Sequence, residues 1–180
     1  FAIAVLKVIP CKPLRLLLDF YTSIFRGVPL IVLLFIAYFA TPQLTGYKIT
    51  MFTASVLTLG LNGSATVSET VRGGIEGVDR GQYDASRALG LSYITMMSKV
   101  IIPQALRSVA PALVNEIITV LKSSSLVATI GLMDMMRAAQ SVQAITYRAF
   151  EPFIVVAIVY YVIVMALVAI ANRLERRMRA

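Results

Sequence analysis

Residues 152–171 read PFIVVAIVYYVIVMALVAIA, and not one of these side chains is charged. About twenty such residues, wound as a helix, cross the hydrocarbon core of a bilayer. Three further runs approach that length: 23–40 (SIFRGVPLIVLLFIAYFA), 51–71 and 109–130. Lipid offers the backbone no hydrogen-bond partners, and the alternation of a barrel strand is absent, so all four are predicted as membrane helices. The fold class that follows is an all-α membrane protein. Composition agrees: 58% hydrophobic with 14% charged residues is more apolar than a soluble domain with a wettable surface. The opening FAIAVLKVIP is too short to span and is interrupted by Lys7. It lacks the basic start and small-residue cleavage site of a signal peptide, and it is predicted to be the end of a span that begins upstream.

The basic residues set the orientation. The net charge is +8, which in a soluble chain would point to nucleic acid. Here the charges flank apolar runs. Lys7, Lys12 and Arg15 precede the first long run. Arg72, Arg80, Arg87, Lys99 and Arg107 lie between the second and third, and Arg173, Arg176, Arg177 and Arg179 follow the fourth. The other connections hold only Lys48, then Arg137 and Arg148. The positive-inside rule places the first groups in the cytoplasm, and no nucleic-acid partner is expected. With no histidine and a single cysteine, Cys11, neither Ser-His chemistry, nor a histidine metal site, nor an internal disulfide is available. No G-x-x-x-x-G-K-[ST] phosphate loop is present either, so if ATP drives this protein, another subunit must bind it.

The connection at 79–107 is too ordered for a plain loop. Asp79 or Asp84 suits a helix start. Ala85, Ala88 and Leu89 share a small apolar face, and Gly90 can end that helix in a left-handed conformation. A second helical stretch, SYITMMSKVII, follows and is punctuated by Pro103. Such a pair of short helices could enter a groove on another protein, or lie on the headgroups.

Two runs carry polar stripes. Ser55, Thr58, Asn62, Thr66 and Glu69 fall within roughly 80° of one helix face. Asn115, Thr119, Lys122 and Thr129 share a narrow arc, with Glu116 beside it. Polar residues at membrane depth face protein or water rather than lipid, and an ionised group at mid-bilayer costs about 2.5–3.5 kcal/mol on insertion scales. Each stripe is therefore either a helix–helix contact or the lining of a pathway.

The 79–107 connection resembles the EAA loop of ABC importer permeases: E-A-A, three residues, G, nine residues, I, one residue, L-P. Asp84-Ala85-Ser86, Gly90, Val100 and Ile102-Pro103 stand at those spacings. FRGVPLIVLLF at 25–35, SETVRGG at 68–74 and IPQALRSVAPALVNEIITVLKSSSLVATIG at 102–131 are similar to the polar-amino-acid branch, the His/Glu/Gln/Arg/opine permeases. Ser124 stands where that branch has threonine in its Lys-x-Thr-Ser pattern.

The resemblance implies a type I ABC importer permease fold with five spans, four complete here plus the end of the first. It makes 1–180 a single permease domain and 79–107 its cytoplasmic coupling loop. Asp84, Ala85, Ser86, Arg87, Ala88, Leu89 and Gly90 would form the coupling helix, seated on a cytoplasmic ATPase subunit. ATP and magnesium would belong to that ATPase, leaving no cofactor, metal or catalytic residue on this chain. A second permease subunit, identical or related, an external amino-acid-binding protein and membrane lipid complete the implied partners, in a prokaryotic cytoplasmic (inner) membrane.

Asn62, Glu69, Asn115, Glu116, Thr119, Lys122 and Ser124 are the candidate pathway residues. Two carboxylates, Glu69 and Glu116, favour a basic amino acid as cargo, with Lys122 available to an α-carboxylate. A glutamine or glutamate importer is the alternative. A channel or secondary transporter independent of ATP would predict inverted repeats or broken helices in matched halves, and an intramembrane enzyme would need paired aspartates or histidine. None is visible in the sequence.

Overall fold

A computed structural model describes the backbone of residues 1–9 and 11–179 and the side chains of residues 1–9 and 11–173. The side chains of Arg176, Arg177 and Arg179 lie outside the described residues. Among the described residues the chain is helical with no strand. Helix α1 (Ala2–Val8) and helix α2 (Lys12–Gly27) are followed by a break at Val28–Pro29, both in extended conformation. Helices α3 (Leu30–Phe35) and α4 (Thr41–Thr45) form one rod with a wide turn between them, and Gly46 ends it at φ 72°. Helix α5 (Met51–Glu76) is capped by Thr50, whose hydroxyl accepts from the Thr53 amide at 3.1 Å. Helices α6 (Arg80–Ala88) and α7 (Tyr93–Met96) lead into α8 (Ile102–Ser123). A tight 3-10 segment, Ser124–Ile130, then α9 (Met135–Thr146) and α10 (Phe150–Arg179) complete the chain.

The first long apolar run is not one straight helix. Its start, Ser23–Gly27, belongs to α2, and the rod Leu30–Thr45 leaves α2 at a bend of 102°. Pro29 explains the break: its fixed φ caps the new helix, and the residue before a proline is pushed out of the helical region. The expected 23–40 span is therefore not one straight helix: it is divided at Val28–Pro29, and its larger part lies in the rod Leu30–Thr45. The third run is longer than expected. Tyr93–Ile130 forms a continuous 38-residue helical stretch, so Pro103 does not end SYITMMSKVII. The helix instead widens by one residue over Met97–Ile101, just before Pro103. The same widening occurs at Ile36–Ala40, just before Pro42. A proline ring needs room at the carbonyl four residues earlier and donates no hydrogen bond, and a wider turn relieves both.

Tyr93–Ile130 and Phe150–Arg173 are each long and apolar enough to cross a membrane, with mean hydropathies of 1.4 and 3.0, and the bent pair supplies a third candidate. Helix α5 is long enough, its 26 residues giving about 39 Å, but it is polar. It is also the hub of the fold, packed against α1, α2, α3 and α8. Its Ser55, Thr58 and Ser68 are buried beside Ala54 and Ala65, so protein rather than lipid covers them. The α5–α8 contact is close because α5 is small there. A Cβ at Gly74 would run into the Val109 side chain and approach the Ala105 carbonyl to 3.3 Å, and one at Gly63 would approach Val120 Cγ2 to 3.3 Å. Small residues are how membrane helices draw together when lipid supplies no hydrophobic drive.

Candidate functional site

Two places concentrate the polar chemistry. The first is a cleft of about 60 Å³ between the start of α3, the middle of α5 and α8. It brings together three of the expected pathway residues, Asn62, Glu116 and Thr119, with Thr66 and Ser123 beside them. Asn62 donates its amide to the Phe25 carbonyl, which ties the end of α2 to α5. Thr66 and Thr119 donate to the carbonyls of Asn62 and Asn115 in their own helices, at 3.0 and 2.8 Å. Their remaining capacity is as acceptors. Among the described residues Glu116 receives only a long contact from Thr70 Oγ1, 3.4 Å. Among the described residues no lysine or arginine pairs with it. The cleft thus presents a carboxylate and hydroxyl acceptors with no resident cation. Its volume suits about two waters or one small charged end group in their place, not a whole amino acid. Thr70 is absent from the residues expected by sequence. Its signal was available: it stands one helical turn beyond Thr66.

The other candidates stand apart. Glu69 does not line the cleft. Its Oε1 accepts from Lys7 Nζ at 2.6 Å, its Oε2 from Arg72 Nη2 at 2.7 Å, and Arg26 stands 3.7 Å away. Lys7 also meets Asp19 at 2.8 Å and donates to Thr22 Oγ1 at 2.6 Å, and its side chain is 1% exposed. Lys7 is therefore not a free cytoplasmic charge but the centre of an ion network that ties α1, α2 and α5 together. An opposite charge is the only cheap partner for a buried lysine, and here it is Glu69, 62 residues away in sequence. Asn115 and Lys122 share the outer face of α8 with the exposed edge of Thr119. Lys122 has no ion partner among the described residues. Ser124 donates to the Leu121 carbonyl at 2.7 Å, a bond that closes the end of α8 rather than opening to a cavity.

The second place is α6. Asp79, not Asp84, caps it, accepting from the Gly81 amide at 2.6 Å. Ser86 is buried and donates to the Gln82 carbonyl at 2.7 Å. Tyr83 donates to the Ile75 carbonyl at 2.9 Å, fastening α6 to the end of α5. Burial, then the nearby Tyr93 and Glu76, push the Tyr83 pKa up, so the hydroxyl keeps its proton and goes on donating. Gly90 ends the helix at φ 70°, and the Leu91 amide returns to the Ser86 carbonyl at 3.1 Å. Asp84, Ala85, Arg87, Ala88 and Leu89 remain exposed, Leu89 at 79%. Beneath the segment lies a small core of Val71, Ile75, Met96, Met97 and Ile101. One side of α6 is thus held by its own chain and the other is offered outward.

A family model described as the inner membrane component of binding-protein-dependent transport systems matches residues 3–180. The chain is similar to the arginine transport system permease protein ArtQ of Bacillus subtilis (strain 168), 45% identical over 174 residues, 97% of this chain and 80% of that protein. It is also similar to the putative glutamine transport system permease protein GlnP of Rickettsia bellii (strain RML369-C), 44% identical over 176 residues, 98% of this chain and 81% of that one. Among solved structures, an amino acid ABC transporter crystallised with histidines superposes with a TM-score of 0.91 at 42% identity, over 98% of this chain and 82% of that one.

Proposed function

The chain belongs to the inner membrane component family of binding-protein-dependent transport systems, and we propose that it conducts polar, basic amino acids from an external binding protein into a prokaryotic cytoplasm. It is a permease subunit and not an enzyme, and ATP hydrolysis resides on a separate subunit. The observation that carries the basic preference is Glu116, a half-buried carboxylate in a cleft of acceptors with no cation of its own. A guanidinium or ammonium group supplies the missing charge, and in a site of low dielectric that pairing outweighs a neutral hydrogen bond. The relatives named for arginine and for glutamine frame the two readings. Glutamine would satisfy the hydroxyls but leave the Glu116 charge uncompensated.

The test is transport by the purified complex with its binding protein, comparing arginine, glutamine and glutamate, then repeating with Glu116→Gln. Arginine transport should fall about tenfold, the scale of a lost charge-assisted hydrogen bond, while glutamine transport stays near its starting rate. Preference for glutamate, or an unchanged arginine rate in the variant, would remove the carboxylate from the account.

The same reading includes a second permease subunit. Asn115, Thr119 and Lys122 lie exposed along one line of α8 at membrane depth, where an unpaired lysine facing lipid is costly. A neighbouring subunit and the water-filled path between the two would cover them. Thr119→Cys should therefore crosslink between two copies across a two-fold axis, and Ile158→Cys on the exposed face of α10 should not. Crosslinking at Ile158 alone would put the interface elsewhere. The segment 79–107, through the outward face of α6, is the proposed contact with the ATPase, and 1–180 acts as one permease domain.

A further inference from the structure

Helix α2 is amphipathic in an unusual way. Leu16, Leu17 and Phe20 are 70%, 69% and 68% exposed, and they fall on one side of the helix. The opposite side is committed to α5 and α1: Tyr21 donates to the Leu61 carbonyl at 2.8 Å and Phe25 accepts from Asn62, both on α5, and Thr22 accepts from Lys7 of α1. A third edge carries Lys12, Arg15 and Arg26, with Asp19 neutralised by Lys7 at 2.8 Å. The helix leaves the Leu30–Thr45 rod at 102°. If that rod crosses the bilayer, α2 runs nearly parallel to the membrane surface. Four charged residues within Lys12–Gly27 also rule against α2 as a piece of a transmembrane span. Its Arg26 stands 3.7 Å from Glu69, in the half of α5 that leads to α6, which fixes the side of the membrane.

We infer that α2 is an in-plane anchor on the lipid leaflet nearest the coupling segment, with Leu16, Leu17 and Phe20 among the acyl chains and Lys12 and Arg15 at anionic headgroups. Helices of this kind sink about 5–10 Å into the boundary between headgroups and acyl chains and gain from anionic lipid. The apolar side and the basic edge are adjacent on α2, as an interface requires. Because the ion network joins α2 to α5, the leaflet becomes a support for the base of α5, from which the coupling segment projects. The inference rests on the membrane embedding of the chain, and not on the identity of its cargo.

The chain contains no tryptophan, so a single introduced one reports alone. Leu16→Trp and Phe20→Trp are placed in the full chain in nanodiscs of phosphatidylcholine mixed with phosphatidylglycerol, with bromine either near the carbonyl end or at the tail of the acyl chains. Ile158→Trp on the exposed face of α10 is the embedded control. Both α2 probes should be quenched strongly by bromine near the carbonyl end and weakly by bromine at the tail. Adding Lys12→Glu and Arg15→Glu should remove most of that quenching and shift the emission to the red. Stronger quenching by tail bromine would mean that α2 penetrates the core. Blue emission without quenching would mean that protein covers it. Either result, with the control quenched, overturns the inference, and an unquenched control would instead overturn the membrane placement of α10.

Discussion

Gly90→Val should abolish most of the coupling between ATP hydrolysis and transport while leaving the chain folded in the membrane. Gly90 sits at φ 70°, where a Cβ costs about 1–2 kcal/mol and a β-branched side chain more. Nothing lies within 4 Å of a Cβ built there, so the variant meets no clash within its own chain. The strain can be relieved only by unwinding the end of α6, which breaks the return of the Leu91 amide to Ser86 and displaces the exposed Leu89. Stimulated ATPase activity of the reconstituted complex should fall about a hundredfold, the upper range of a coupling free energy between linked sites. Gly90→Asn separates conformation from contact, because asparagine tolerates the left-handed region. It should retain most of the stimulation, whereas a requirement for bare space at the partner's surface would make it as poor as valine. Normal stimulation in an assembled Gly90→Val complex would mean that α6 does not carry the coupling.

Lys7→Met should destabilise the subunit by about 3 kcal/mol, the lower end of the cost of breaking a buried ion pair. The lower end applies because Glu69 keeps Arg72 at 2.7 Å and Asp19 is half exposed and can turn to water. Thermal melting of the purified complex in one detergent is the measurement. The double variant Lys7→Met with Glu69→Gln should recover much of the loss, since Arg72 keeps Glu76 at 2.6 Å, Asp19 can turn to water, and no buried charge is left unpaired. Strict additivity of the two single losses would show that Lys7 and Glu69 do not interact.

These two residues also show where sequence reading stops. Gly90 was legible because its role is local: a helix of small residues, a glycine, and a second helix after it. The ion network was not, because Lys7 and Glu69 meet across 62 positions and a charge in a short apolar run gives no sign of what faces it. The Pro29 break was legible as a helix boundary but not as a 102° bend, since hydropathy carries no direction and the apolar run continues across it. The apolar part of α10, 152–171 of Phe150–Arg179, was legible because every face of that stretch is apolar. The stripe of Asn115, Thr119 and Lys122 was visible as an arc, and the cleft holding Asn62 with Glu116 required knowing that α5 and α8 pack at Gly63 and Gly74. That contact depends on the shape of Val109 and Val120, and no periodicity reports it.

The central claim is that this chain is the passage of an importer driven by a separate ATPase. Its most direct test is uptake of labelled arginine into liposomes holding the chain with its ATPase subunit, with binding protein outside and ATP inside. The account predicts accumulation above the external concentration that requires ATP, the ATPase subunit and the binding protein together. Equilibration of arginine across liposomes that contain the chain alone would contradict it.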